Sequence, residues 1–185
     1  MEEYFVDFHV IPHLFYRRAK EFSDKCKEAK NLIDEKEFAA LSIILSILVI
    51  EAYINGYAAC YVYDEKRKPQ NEQCESGILK FLEDQKGSSL DNKLKVWTKI
   101  ITGKTFNEAE ELWGTYKYIR KLRGEIIHFK QEQAEVEIDN GIHFWKAKRY
   151  KDINKKNAEK AIKCVVNIIG KLHELRGWPK PKWVS

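Results

Sequence analysis

"FAALSIILSILVI", residues 38–50, decides what kind of protein this chain is. The stretch is almost wholly apolar, and the apolar character resumes beyond Glu51 and runs through Tyr63. Two structures accept such a run: a membrane-spanning helix, or a helix buried in a protein core. The uninterrupted part is about 13 residues, against the roughly 20 that cross a bilayer. Glu51 and Asn55 then put a carboxylate and an amide one helical turn apart, on one face. These features predict a central helix from about Glu37 to Tyr63, covered on nearly all sides by a bundle.

The flanking sequence supplies the other helices. Pro12 suits a first helical turn, where its missing N–H costs nothing. Phe15, Ala19, Phe22, Cys26, Ala29 and Ile33 follow at spacings of three and four, one amphipathic stripe. After the central helix, "DEKRKPQNEQ" (64–73) reads as an exposed loop. A short helix is expected from Gly77 to Asp84, then a turn at "KGSS" (86–89). Leu90, Leu94, Trp97 and Ile101 predict a helix over 90–101 that Gly103 stops. Asn107 with Glu110 has capping-box spacing and opens a helix carrying Leu112, Tyr116, Ile119 and Leu122 inward. Val136, Ile138, Ile142 and Phe144 alternate with polar residues around "DNG" (139–141), the pattern of a β-hairpin near residues 135–145. A last helix is expected from Asn157 to Arg176, with Ala161, Cys164, Val165, Ile168 and Leu172 inward and Gly177 and Pro179 ending it. The expected fold is all-α: a bundle of four to five main helices with a small hairpin insertion. It forms one domain over residues 1–177, followed by a tail over 178–185. The tail, with two tryptophans among lysines, either packs on the bundle, hangs free or stacks on bases.

Charge narrows the partners. With 33 Lys and Arg against 28 Asp and Glu, the net charge of +5 is a mild basic bias. Its distribution is more telling: from His143 to Lys163 there are eight Lys or Arg against two acidic residues. Such a run is either a solvated helix face or a track for a phosphate chain, which feels a local field of that sign. Cys26, Cys60, Cys74 and Cys164 form no C-x-x-C pair, so neither a zinc site nor a disulfide framework is expected. The N-terminus is acidic, without a basic n-region, and a cytoplasmic protein with no membrane partner is expected.

No phosphate loop, dinucleotide fingerprint, H-E-x-x-H or G-x-S-x-G motif occurs. His9 and His13 lack a carboxylate or thiolate companion, and no metal or other cofactor is expected. What remains is "LRGEIIHFK" (122–130), with Arg123 and His128 five apart. An imidazole titrates near neutral pH, so it takes a proton from a ribose 2′-hydroxyl or gives one to a leaving oxygen. A guanidinium fits two phosphate oxygens and stabilises charge building at phosphorus. Together they suffice for cleavage of RNA by internal transesterification, a route closed to DNA. On a regular helix, five residues leave the two side chains about 140° apart. Convergence on one phosphate therefore needs a helix break near Gly124 or two chains facing each other. The bland alternative is a helix-end histidine beside the helix dipole.

The order of motifs adds to this. "VIEAYINGYA" (49–58), "LDNKLKVWTKIITGKTF" (90–106) and "LRGEIIHFK" (122–130) precede a final amphipathic helix. In that order the chain resembles the HEPN superfamily, small helical bundles whose ribonuclease members carry R-x4-6-H. The stretches are similar to that family's "E-a-f-i-N" helix, its "K-L … l-tGK-f" lead-in and its "L-R-N-x-l-v-H-y-K" motif. The resemblance covers most of the chain, from the helix around Ala39 to the last one. It implies a homodimeric, metal-independent endoribonuclease, a toxin or host-defence effector with RNA as substrate and an antitoxin or regulatory protein as a further partner. It implies Arg123 and His128 as the catalytic pair, and Glu51 and Asn55 as supporting polar residues, whose alternative role is a hydrogen-bonded pair inside the bundle. Lys130, Lys146, Lys148 and Arg149 are the expected RNA-backbone contacts. Gly124 departs from the pattern, which usually has a polar residue, often Asn, directly after the Arg. Many members of the superfamily are non-catalytic modules that bind RNA, nucleotides or proteins, and that is the rival reading.

Overall fold

The computed structural model describes residues 2–84, 88–106, 110–128, 135–139, 142–146 and 150–184, with side chains over 10–84, 88–106, 110–128 and 151–184. These residues are mostly helical, and the fold class is all-α. The helices are α1 (Glu2–Glu28), α2 (Leu32–Lys66), α3 (Ser76–Glu83), α4 (Leu90–Asn92), α5 (Thr98–Thr102), α6 (Glu111–Ile127) and α7 (Lys155–Arg176). A π-helical turn, Lys93–Trp97, joins α4 to α5. Two short strands, β1 (Glu135–Asp139) and β2 (Ile142–Lys146), pair antiparallel from Glu135↔Lys146 to Asp139↔Ile142. The expected turn residues Asn140 and Gly141 lie outside the described residues.

The chain divides into two compact units. The first comprises Met1–Leu14, Leu48–Glu108 and Val166–Ser185; the second comprises Phe15–Ile47 and Ala109–Val165. In the second, Tyr16 and Ala19 of α1, Ala39 and Ile43 of α2, Tyr116, Ile119 and Leu122 of α6, and Ala158 and Ala161 of α7 are all buried. Ser42 within the apolar run of α2 donates to the Ala19 carbonyl at 2.9 Å, and Ser46 donates to the Ser42 carbonyl at 2.8 Å. Buried hydroxyls are thereby satisfied inside the protein, as burial requires. No residue of α2 from Phe38 to Asp64 is exposed, in keeping with the apolar run as core. By length and composition alone α2 is also long and apolar enough to cross a membrane, and half of its most apolar window is buried within the protein.

In the first unit, Tyr53, Ile54 and Tyr57 of α2 are fully buried, as are Leu94, Trp97, Ile168 and Leu172. α7 ends on Gly177 at φ 76°, with Gly177 N–H bonding the Glu174 carbonyl at 3.2 Å and Trp178 N–H bonding the His173 carbonyl at 2.9 Å. This is the Schellman stop that only glycine accepts without strain. It turns the tail back onto its own unit: Trp183 stacks on His13 at 5.5 Å, Arg176 lies 3.7 Å over the Trp178 ring, and Val184 is buried. The tail tryptophans therefore pack on the protein.

Several expected boundaries move. α1 begins at Glu2, so Pro12 lies inside the helix rather than in its first turn. Its buried side chains include Pro12, Tyr16, Ala19, Ser23 and Cys26, so Ala19 and Cys26 face inward as expected while Tyr16 and Ser23 take the places of Phe15 and Phe22, and Ile33 belongs to α2 with its side chain exposed. α2 is longer than expected at both ends. The cap of α6 is Glu110, not Asn107, which lies outside the described residues. Trp113 replaces Leu112 on the buried face of α6, because the larger ring removes more apolar surface from water.

Candidate nucleic-acid site

α6 is amphipathic in the usual way but for its sign. Trp113, Tyr116, Ile119 and Leu122 face inward at spacings of three. On the other side Lys117, Lys121, Gly124 and His128 follow at spacings of four, three and four, a single stripe, with Arg120 beside it. These residues, with Tyr118 and Arg123, line an open concavity of about 630 Å³. Among the described residues the lining holds four permanent cations and a histidine, and no carboxylate.

Arg123 and His128 thus line one cavity, though not by the route the spacing suggested. The helix does not break at Gly124, whose carbonyl accepts the His128 N–H at 2.9 Å. The departure comes at His128 itself, which leaves helical geometry at φ −104° and ψ 56° and is exposed. Arg123 is half-buried, and among the described residues it makes no ion pair or hydrogen bond; its Nε is buried without a partner. A buried N–H left unmade costs about 1–3 kcal/mol, a cost that a ligand oxygen accepting from it would relieve. The Lys121 ammonium and the His128 ring likewise take no partner among the described residues, apart from the His128 backbone bond. Gly124 forms bare floor: a Cβ built there meets nothing within 4 Å.

Glu51 and Asn55 belong to the first unit, and their surroundings differ. Asn55 Oδ1 accepts from Lys93 Nζ at 2.8 Å, and that ammonium lies 5.1 Å over the Trp97 ring. Lys93 is only 3% exposed, and burial pulls its ammonium below the ordinary lysine value while the Glu51 carboxylate pulls the other way. Asn55 is thus hydrogen-bonded within the protein, but to Lys93 and not to Glu51, the partner that the sequence suggested. Lys93 reaches it because the π-helical turn over Lys93–Trp97 shifts the helical phase, burying Lys93 and Thr98 beside Leu94 and Trp97.

Lys130, Lys148 and Arg149 lie outside the described residues; Lys146 is described in backbone only, within β2. The cavity cations Lys117, Arg120 and Lys121, and Tyr118, were not among the expected site residues. Their spacing from His128 on the helical wheel was the signal that would have found them. Among the described residues no three His, Cys, Asp or Glu side chains gather at metal-binding distance. The four cysteines are free thiols, Cys26, Cys60 and Cys164 buried and Cys74 half-buried.

No protein-family model, curated protein or solved structure matches the chain. The functional reading therefore rests on the residues themselves.

Proposed function

We propose that this protein is a metal-independent endoribonuclease of HEPN type, working as a homodimer in the cytoplasm as a toxin or host-defence effector. The single observation that carries the proposal is the cavity on α6, which combines Arg123 and His128 with Lys117, Arg120 and Lys121 and, among the described residues, holds no carboxylate. Such a lining favours a polyanion over any neutral or cationic ligand. In the proposed chemistry, His128 takes the proton of a ribose 2′-hydroxyl and the 2′-oxygen attacks the adjacent phosphorus. The 5′-oxygen of the next nucleotide leaves with a proton from the His128 of a second copy. Arg123 holds the two non-bridging oxygens as their charge rises. The products are a 2′,3′-cyclic phosphate and a free 5′-hydroxyl. A HEPN-like bundle with a hairpin insertion is the fold that belongs with this reading. Lys130, Lys146, Lys148 and Arg149 extend the cationic track, and an antitoxin or other regulatory protein is the partner that would restrain it.

The test is total RNA incubated with the protein in EDTA. Fragments ending in cyclic phosphate are expected, His128→Ala abolishes them, and DNA of the same sequence stays intact. Wild-type protein that leaves diverse RNAs uncut sinks the enzyme reading.

A second reading, a non-catalytic RNA-binding module, draws on two features: the His128 ring has no orienting partner among the described residues, and Gly124 offers phosphate no side chain. It predicts salt-dependent RNA binding with every strand recovered whole.

A further inference from the structure

Among the described residues the cavity lining holds one aromatic side chain, Tyr118, and the structure treats it unlike an ordinary surface tyrosine. Its hydroxyl accepts from Asn157 Nδ2 at 3.0 Å, and the same amide donates to the Asp152 carbonyl at 2.7 Å. Asn157 is itself buried, and its backbone N–H is capped by Asn154 Oδ1 at 3.0 Å. The tyrosine is thus pinned at its far end by an amide locked into the start of α7. Lys160 Nζ stands 5.1 Å over the ring, and Tyr118 belongs to the cavity lining together with Lys117, Lys121 and Arg123. The result is a fixed, half-buried aromatic plane among four cations.

We infer that Tyr118 is a base-stacking platform, and that the cavity takes single-stranded RNA, with one nucleobase on the Tyr118 ring while the flanking phosphates meet Lys117, Lys121 and Arg123. The inference rests on the proposed RNA site and adds which form of RNA the site selects. A nucleic-acid single strand is the polyanion that presents an unstacked flat aromatic face beside each charge. A duplex presents phosphates but keeps its bases stacked, so it gains the cations and loses the tyrosine. Clamping the ring before binding lowers the ordering cost that a free tyrosine would incur.

The experiment measures binding, separately from cleavage. The probe is a fluorescently labelled single-stranded 2′-O-methyl oligonucleotide, which has no attacking hydroxyl, titrated with full-length protein at several salt concentrations. Tyr118→Ala and Tyr118→Leu are expected to weaken binding on the order of 10-fold, while Tyr118→Phe keeps most of the affinity. The slope of affinity against salt stays at the wild-type value in all three, because stacking releases no counterions, whereas Lys121→Ala flattens it. Placing an abasic site along the strand supplies the decisive arm. At one position the wild type loses about the same 10-fold and Tyr118→Leu loses nothing further. Tyr118→Leu fills similar space, and comparing its unfolding midpoint with wild type separates lost stacking from lost structure. Equal losses on intact and abasic strands at every position, or a duplex bound as tightly as the single strand, would overturn the platform. Wild-type protein that fails to bind the strand in a salt-dependent way overturns the platform and the RNA site together. Binding with the abasic signature supports the platform even where natural RNA stays uncut, a result that removes only the cleavage reading.

Discussion

Two lysine-bearing regions of this protein carry the residues a sequence reader would assign to one site, and they treat cationic charge in opposite ways. On α6, Lys121 and Arg123 line an open cavity and have no partner among the described residues. At the π-helical turn, Lys93 is buried, and its ammonium is committed to Asn55 Oδ1 and lies over the Trp97 ring. The first arrangement keeps charge available to a ligand. The second uses charge to hold the protein's own elements in register, at the desolvation cost that a buried ammonium carries. Sequence motifs do not distinguish a cation that is offered from one that is consumed.

The sharpest way to break the contrast is at the cavity. His128→Ala should lower RNA cleavage by about 10²–10⁴-fold and Arg123→Ala by about 10²–10³-fold, read in a chelator-containing gel assay. The unfolding free energy of His128→Ala should stay within about 0.5 kcal/mol of wild type, because the side chain is exposed. A large stability loss with either change would move the cavity into the structural category.

The converse holds at the buried cluster. Asn55→Leu strands the Lys93 ammonium and should destabilise the protein by about 1–3 kcal/mol in urea unfolding, and adding Lys93→Met should recover part of that. The pH dependence has a definite sign. Burial lowers the Lys93 value in the folded state, so charged Lys93 costs stability at neutral pH. Between its folded value and the ordinary lysine value of about 10.4 the unfolded chain binds more protons, so that cost fades as pH rises. The stability difference between Lys93→Met and wild type should shrink across that window. If Asn55→Leu instead impairs cleavage at unchanged stability, Asn55 serves the catalytic site and the contrast is wrong.

Smaller effects refine the picture. Lys121→Ala should reduce the salt slope of RNA binding by about 1 without altering stability. Gly124→Ala should raise stability by about 0.5–1 kcal/mol, since the added methyl enters open space on a helix where Gly is intrinsically poor. Gly124→Asn fits the same space and should raise cleavage by giving phosphate an amide. Smallest of all, a thiol reagent should label Cys74 alone in the native protein. Cys26, Cys60 and Cys164 are buried, with burial raising Cys60 to about 11 and Cys164 to about 12.

Much of the helical framework was legible because it depends on periodicity. The burial of Ala161, Cys164, Val165, Ile168 and Leu172 on α7, the stop at Gly103 and the turn at Gly177 follow from local rules of spacing and backbone freedom. Less local features escaped. Pro12 sits inside α1 although proline usually opens a helix, and the π-helical turn moves Lys93 inward although nothing in "LDNKLKVW" announces a fifth residue in the turn. At the candidate site Arg123 and His128 were visible as residue types. Their place in one cavity lining was not, because a concavity is a property of the folded surface and not of residue spacing along the chain.

By itself, then, the chain's order of residues determined which segments coil, which faces are apolar and which side chains have the chemistry to handle a phosphodiester. Those are properties of neighbours three and four positions apart, and they travel with the sequence. Only the tertiary structure decided that Lys93 would be spent internally, that Asn157 would pin Tyr118, and that Arg123 would find no partner among the described residues. Each of those outcomes depends on what packs against the side chain from elsewhere in the chain, and long-range packing leaves no periodic trace.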